Sequence, residues 1–180
     1  FADDIQAIAK QTPATRQTLL FSATYPDTIA ALSARLMRQP QMVKVDTTHD
    51  THAIEEWFFE VEPDTRLDAV TRLLNHYQPT STVAFCNTRV QCNDLVQILC
   101  AHGFSALTLH GDLDQRDRDQ VLIQFANHSC SVLVATDVAA RGLDIADLAA
   151  VINVDTTPDP QVYTHRIGRT GRAGATGLAL

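Results

Sequence analysis

Lysine is scarce in this sequence: only Lys10 and Lys44 occur among 180 residues, and the formal net charge is −7. Proteins that neutralise many nucleic-acid phosphates are usually basic, so this balance argues against an extended basic surface for nucleic acid. The arginines are unevenly spread, because seven of them lie between residues 89 and 172, several beside Gly, Thr or Asp. This distribution favours a local phosphate site over a general basic face.

Cysteine pairs with zinc-ligand spacing are also missing, since the four cysteines at 86, 92, 100 and 130 form no CxxC. We expect reduced and mostly buried thiols, as in a cytoplasmic protein. No apolar run approaches the length of a transmembrane helix, and no signal-peptide pattern occurs. The sequence indicates neither a metal site, nor membrane contact, nor an obligate oligomer.

Short apolar runs alternate with amphipathic helical stretches. The predicted strands are 17–23, 42–45, 56–61, 82–86, 105–109, 131–135, 149–154 and 176–180. The predicted helices are 26–37, 64–77, 88–102, 114–127 and 160–167. Continuously apolar strands alternating with helices are typical of an α/β fold with a parallel sheet covered on both faces. Such sheets bind ligands at the carboxyl ends of their strands, so we expect each motif below to lie there.

Residues 46–53 (DTTHDTHA) are polar and weakly patterned, and they predict a linker between residues 1–45 and 54–180. The chain begins without Met inside a helical pattern and ends in a strand pattern, so we expect it to be a segment of a longer protein. The aromatic run Trp57-Phe58-Phe59 could stack on bases, but its strand-like setting favours core packing.

The strongest motif is residues 165–174, HRIGRTGRAG, with three arginines and three glycines. Glycine lets a backbone approach an anion, and the planar fork of arginine matches phosphate oxygens. Arg169 and Arg172 are three apart, so on one helical turn they would point the same way and could stabilise the charge of a transferring phosphoryl group. A solvated basic loop, or arginines paired with acidic side chains, fits the spacing about equally well.

Further polar groups follow the predicted strands. Thr136, with backbone N–H groups at a helix start, can hold a phosphate, whereas Asp137 is expected to cap the turn 138–141. Gly111 would let a nucleic-acid strand pass close to the backbone. Asn87 or Thr88 is a good N-cap for the helix that follows.

Taken together, these strings resemble the DEAD-box helicases of superfamily 2, and most of all their bacterial DbpA type. The resemblance covers the whole chain in the family's order. The strings are Ser22-Ala23-Thr24 (SAT), 83–89 (VAFCNTR, motif IV), Gln115 with Arg118 (QxxR), 135–144 (ATDVAARGLD, motif V) and 165–172 (motif VI, without a departure). The DbpA likeness lies in 110–120 (HGDLDQRDRDQ) and 132–145 (VLVATDVAARGLDI).

The resemblance implies an RNA-stimulated ATPase that locally unwinds RNA, with ATP, Mg²⁺ and RNA as ligands. For the DbpA type it implies ribosomal RNA and a role in large-subunit assembly. Residues 54–180 would form the second RecA-like, P-loop NTPase-like domain, and residues 1–45 the tail of the first. No GxxxxGKT loop or DEAD sequence occurs in the 180 residues, so Mg²⁺ ligands are expected elsewhere and the isolated segment is expected to be inactive.

The resemblance also implies a role for individual residues. Those for ATP are Arg169 and Arg172 as catalytic arginine fingers, together with Gly142 and with Asp144 on the ribose. Those for coupling between the domains are Ser22, Thr24 and His165. Those for the RNA backbone are Arg89, Gly111, Gln115, Arg118 and Thr136. A simpler structural role stays open for several of these residues. Arg89 could be solvated, Ser22–Thr24 could be a strand end with an N-cap, and Asp144 could be a turn residue. Arg116 and Arg118 could pair with neighbouring acidic side chains, namely Asp112, Asp114, Asp117 or Asp119.

Two alternatives to an RNA-directed enzyme also remain at this point. The segment could act as a clamp that binds RNA or a partner protein without catalysis. It could instead belong to a DNA-directed relative within superfamily 2, although the SAT, ARGLD and HRIGRTGR strings fit RNA enzymes better.

Overall fold

A computed structural model describes residues 2–22, 25, 27–44, 54–140, 145, 147–171 and 176–180. The chain divides into two compact units, residues 1–48 and residues 49–180. The division falls within 46–53, a segment in which the structure describes no residue, so the linker there stays a prediction.

The first unit contains helices α1 (Ala2–Gln11) and α2 (Asp27–Leu36), which pack on each other. Each begins with acidic side chains and ends with a basic one, as the helix dipole favours. The strands predicted at 17–23 and 42–45 are wrong over the described residues, because neither segment pairs with another strand. Several of their apolar side chains lie in solvent, with Phe21 89% and Val43 80% exposed. An apolar run becomes a strand only where a neighbouring strand accepts its hydrogen bonds.

The second unit is built on a parallel sheet whose strand order is β1-β6-β5-β2-β4-β3 over the described residues. The strands are β1 (Ile54–Glu56), β2 (Thr82–Phe85), β3 (Ala106–Leu109), β4 (Val132–Ala135), β5 (Ala150–Asn153) and β6 (Gly177–Ala179). The helices are α3 (Arg66–Tyr77), α4 (Arg89–Ala101), α5 (Gln115–Ala126), α6 (Asp137–Ala140) and α7 (Pro160–Ile167), with a 3₁₀ turn at Pro63–Thr65. The predicted α/β architecture is confirmed.

Both faces of the sheet are covered, because alternate side chains of each buried strand enter two separate cores. The α3 and α4 core contains Val70, Leu74, Leu95, Leu99, Ala84, Val134 and Ile152. The α5 and α6 core contains Phe125, Ala139, Val83, Leu133 and Val151. This double burial explains why β2, β4 and β5 are apolar at nearly every position.

Side-chain caps fix where several helices begin. Thr88 Oγ1 accepts a hydrogen bond from the Gln91 N–H at 3.2 Å, which confirms one of the two predicted caps of α4. Asp114 and Asp159 cap α5 and α7 in the same way. Gly103, with φ +85°, ends α4 in the left-handed conformation that glycine tolerates.

The edge strand β1 is shorter than the predicted strand 56–61. Its last ladder bond is the one that the Trp57 N–H donates to Ala179 O at 2.9 Å. Trp57, Phe58 and Phe59 are 49%, 77% and 47% exposed, so their predicted core packing is wrong. Phe58 instead stacks on Tyr163, with ring centroids 6.3 Å apart.

The thiols behave as predicted: none forms a disulfide, and Cys86, Cys92 and Cys130 are buried while Cys100 is exposed. Burial raises the pKa of the Cys130 thiol. Within the described part of the chain, no cluster of three ligating side chains could hold a metal ion. No helix there is long and apolar enough to cross a membrane.

Candidate functional site

Three of the predicted motifs meet at the carboxyl edge of the sheet. Asn87 follows β2, the turn 110–112 follows β3, and Thr136 follows β4. Backbone bonds join these turns: the Cys86 N–H donates to Ala135 O at 3.0 Å, and the Thr136 N–H to Leu109 O at 3.3 Å. The strands are parallel and adjacent, so the turns lie side by side, as expected for a ligand edge.

Arg166, in the last turn of α7, is buried at this edge. Arg166, 2% exposed, donates from Nε and Nη2 to the two carboxylate oxygens of Asp137, both at 2.7 Å. Its Nη1 donates to Asp155 O at 2.7 Å and to Asn153 Oδ1 at 3.2 Å, and the cation lies 5.1 Å from the Phe85 ring centroid. A buried guanidinium needs such complete pairing, since an unpaired charge in the interior is very costly.

This arrangement corrects the prediction for Asp137, which was expected to cap the turn 138–141. Asp137 is itself the first residue of α6, and both of its carboxylate oxygens bind Arg166. The structural role of Arg166 was missed, because the motif drew attention to Arg169 and Arg172. The available signal was weak: an acidic side chain beside a threonine that is predicted to bind phosphate favours a cationic partner elsewhere in the fold.

Asp155 also joins several elements at the same edge. Its buried carboxylate accepts hydrogen bonds from Arg66 Nη1 at 2.5 Å, the Asn87 N–H at 2.9 Å and Gln91 Nε2 at 3.2 Å. These bonds join α3 and α4 to the turn after β2. Sequence reasoning missed this residue too, because its partners lie 64 to 89 positions away.

The residues predicted to bind the RNA backbone lie in the turns after β3 and β4 and at the starts of α4 and α5. Arg89 forms an ion pair with Asp112, which draws the start of α4 to the turn that carries Gly111. Arg118 Nη2 donates to Ala139 O at 2.5 Å, so it joins α5 to α6 and does not pair with the neighbouring aspartates. Gln115 Nε2 donates to Asp119 Oδ1 at 2.7 Å on the exposed face of α5. Thr136 is half-buried, and its carbonyl accepts from the Ala140 N–H.

The arginine loop, residues 168–171, lies elsewhere. It follows α7, which starts beyond the carboxyl end of β5, and Thr170 pairs with Leu148, two residues before β5 begins. The expectation that every motif lies at the carboxyl edge is therefore wrong for this loop, because the motif follows a helix that returns across the sheet.

Several contacts hold this loop. The Leu148 N–H donates to Arg169 O at 3.2 Å, and Thr170 Oγ1 donates to Leu148 O. Arg169 Nη1 donates to Ile145 O at 3.4 Å. Helix α7 ends at Ile167 and Gly171 has φ +67°, so Arg169 lies beyond the helix. Because Arg172 lies outside the described residues, the expectation that it points the same way as Arg169 stays a prediction.

The remaining predicted site residues are either exposed or outside the described part of the chain. His165 is exposed in the last turn of α7, and Ser22 is exposed in the first unit. Thr24, Gly142, Asp144 and Arg172 lie outside the described residues. Two surface cavities, of about 650 and 420 Å³, lie in the first unit and are lined by none of the predicted site residues. The candidate site consists of the open carboxyl edge of the sheet and the arginine loop.

Residues 65–174 match the profile of the helicase conserved C-terminal domain. The chain belongs to this helicase family. Curated relatives include the ATP-dependent RNA helicase DbpA of Escherichia coli K12, 52% identical over 180 residues, which cover all of this chain and 39% of that protein. The DEAD-box ATP-dependent RNA helicase CshA of Geobacillus kaustophilus is 45% identical over 181 residues, again 100% of this chain and 39% of that protein. The predicted likeness to DEAD-box RNA helicases is confirmed.

Solved structures of this helicase family share the fold. Saccharomyces cerevisiae Dbp5 bound to RNA and ADP BeF3 is similar with a TM-score of 0.84 and 30% identity, over 98% of this chain and 47% of that one. A DEAD box protein from the hyperthermophile Methanococcus jannaschii has a TM-score of 0.68 and 37% identity, over 98% of this chain and 48% of that one. The chain thus spans about two fifths of its curated relatives, and the predicted RecA-like helicase fold is confirmed.

Proposed function

We propose that this chain is part of a DEAD-box ATP-dependent RNA helicase, in which it contacts the RNA backbone and contributes arginines to ATP hydrolysis. The observation that carries the proposal is 52% identity to such an enzyme along the whole chain, with every motif in family order. The fold also supports the proposal, since the open carboxyl edge of the sheet and the arginine loop lie apart and could each take one of the two ligands.

The RNA backbone would lie along the carboxyl edge of the sheet. Gly111 is exposed there, and a Cβ atom added to it would meet nothing within 4 Å. The protein backbone at Gly111 is therefore open to an RNA strand. Thr136 would offer its hydroxyl at the start of α6, and Gln115 and Arg118 would approach from α5. Contacts of this kind need few cationic side chains, and they recognise the backbone and the shape of the RNA and not its sequence. They are therefore compatible with a net charge of −7.

Arg89 and Arg118 already have partners at this edge. Arg89 would have to exchange its exposed pair with Asp112 for a phosphate, a small cost for two side chains that are 58% and 59% exposed. Arg118 would retain its bond to Ala139 O with one nitrogen while others of its five N–H donors reach the RNA.

ATP would meet the arginine loop. Arg169 binds the carbonyl of Ile145, the residue that directly follows Asp144 in the chain, so the arginine and the proposed ribose ligand belong to neighbouring segments. Arg172 would be the second finger, Gly142 would lie against the nucleotide, and Ser22, Thr24 and His165 would couple the two RecA-like domains. The Mg²⁺ ligands and the phosphate-cradling loop would lie outside these 180 residues, so we propose that the segment alone is inactive.

The finer biological role follows the DbpA relative. We propose action on ribosomal RNA during large-subunit assembly, in the cytoplasm, on the strength of the 52% identity. Depletion of the full-length protein should lower the ratio of large to small ribosomal subunits in a sucrose gradient. An unchanged ratio counts against this role and leaves the helicase proposal intact.

The experiment that tests the proposed function compares matched RNA and DNA strands with the full-length protein. RNA should bind more tightly and stimulate ATP hydrolysis, whereas DNA of the same sequence should do neither to a comparable degree. Equal binding and stimulation would indicate a DNA-directed relative. RNA binding without any ATP turnover would support a second candidate function, a non-catalytic RNA clamp, which the absence of a GKT loop and a DEAD sequence from these 180 residues leaves open.

A further inference from the structure

Gly177, the first residue of β6, lies against the arginine loop with no room for a side chain. A methyl group built on it would overlap Gly171 N and Thr170 Oγ1 and would lie 2.7 Å from Thr170 Cγ2. Separations below 3.0 Å essentially never occur for a real Cβ. By contrast, a methyl group at Gly103 or Gly111 meets nothing within 4 Å. Any side chain at position 177 must therefore displace Thr170 and Gly171.

Thr170 connects Gly177 to Arg169, because it contacts Gly177 and directly follows Arg169 in the chain. Its side chain is 1% exposed, and its hydroxyl donates to Leu148 O. The adjoining carbonyl, that of Arg169, accepts from the Leu148 N–H at 3.2 Å. The backbone of the loop is thus held between Leu148 on one side and Gly177 on the other.

We propose that Thr170 and Gly177 are positioning residues that fix the Arg169 guanidinium for ATP hydrolysis. The inference rests on the proposed role of Arg169 at the nucleotide. Catalysis by positioning is steep, because a misplacement of about 1 Å can lower a rate roughly 10²-fold. The residues proposed to bind RNA lie at the carboxyl edge, so a displaced loop lowers turnover and leaves RNA affinity unchanged.

The first experiment measures ATP turnover and RNA binding of the full-length protein with Gly177→Ala. The kcat for RNA-stimulated hydrolysis should fall at least about tenfold, a barrier change of about 1.4 kcal/mol, with RNA affinity within about twofold of wild type. Gly103→Ala is the matched control, because it strains a glycine of the same domain, at φ +85°, without touching the loop. Its kcat should stay near that of the wild type.

Thr170 supplies an independent pair of variants, which carries the test if Gly177→Ala does not fold. Thr170→Ser keeps the hydroxyl on Leu148 O and should retain most of the turnover. Thr170→Val keeps the shape, loses the donor, and should lower kcat severalfold. Equal kcat for the two variants overturns the proposal, as does a folded Gly177→Ala with wild-type kcat.

A double-mutant cycle separates positioning from general damage. If Gly177 acts through the arginine, Gly177→Ala should lower turnover little further once Arg169→Ala is present. The same fold-loss in both backgrounds would mean a merely structural effect and would overturn the proposal. A wild-type rate for Arg169→Ala alone would overturn the proposed function and this inference together, whereas a slow Arg169→Ala beside a normal Gly177→Ala would overturn this inference alone.

Discussion

Arg166 and Asp137 form a two-point ion pair in which Nε and Nη2 each lie 2.7 Å from a carboxylate oxygen. The pair joins the last turn of α7 to the first residue of α6, and therefore joins the helix that carries the arginine loop to the edge that carries Thr136. The two proposed ligand regions of this domain thus share one buried connection.

Removal of the Asp137 carboxylate should destabilise the domain severely. Asp137→Ala leaves the 2% exposed Arg166 without a carboxylate partner, and loss of one partner of a buried pair costs roughly 3–5 kcal/mol. Urea unfolding checks the value. Asp112→Ala is the control, since its pair with Arg89 is exposed and should contribute no more than about 1 kcal/mol. Equal losses for the two variants would contradict the structural role of Arg166.

Asp155 should protect the backbone at the carboxyl edge from solvent. Its Oδ2 accepts the Asn87 N–H at 2.9 Å, so Asp155→Ala should increase the hydrogen-exchange rate of the Asn87 amide. Exchange measured by NMR reports this amide directly. Asp94→Ala, on the exposed face of α4, is the matched control and should leave the Asn87 rate unchanged. A protected Asn87 amide in Asp155→Ala would show that this turn is held by other means.

Tyr163 should titrate above the ordinary tyrosine range near pH 10. Burial, followed by the hydrogen bond to Glu56, raises the pKa of the Tyr163 hydroxyl. The neutral phenol is favoured in the folded state, so its contribution to stability is complete below about pH 10 and is lost as the pH rises through the higher folded pKa. Ultraviolet titration of wild type minus Tyr163→Phe isolates this group. Glu56→Gln should lower its pKa partway, because burial remains; an ordinary pKa in the wild type would refute the contact.

Local and fully buried elements could be predicted from the sequence. Helix α7 has the predicted bounds, because Pro160 suits the first turn and Gly168 follows the last. The strands β2, β4 and β5 were found as apolar runs, since both of their faces are buried. The strand predicted at 17–23 is wrong over the described residues, and the one predicted at 56–61 is a strand only at Glu56. Strand pairing depends on a neighbouring strand, which an apolar pattern cannot reveal.

The candidate site was predictable in its residue types and less so in its geometry. The motif order indicated Arg169, Gly111 and Thr136, and the structure places the last two at the predicted edge. The partners of Arg166 and Asp155 could not be foreseen, because their side chains meet across 13 to 89 residues of sequence. The position of the arginine loop before β5 depends on the direction of α7, which becomes apparent only in the folded sheet.

The central claim is that Arg169 acts on ATP, and the most direct measurement is RNA-stimulated ATP turnover by the full-length protein with Arg169→Ala. Arginine fingers contribute about 10³–10⁵ in rate in GTPases, so turnover should nearly vanish while RNA binding persists. Arg72→Ala, an exposed arginine on α3, should have little effect. A loss of less than about tenfold in Arg169→Ala, a barrier change below about 1.4 kcal/mol, would contradict the account.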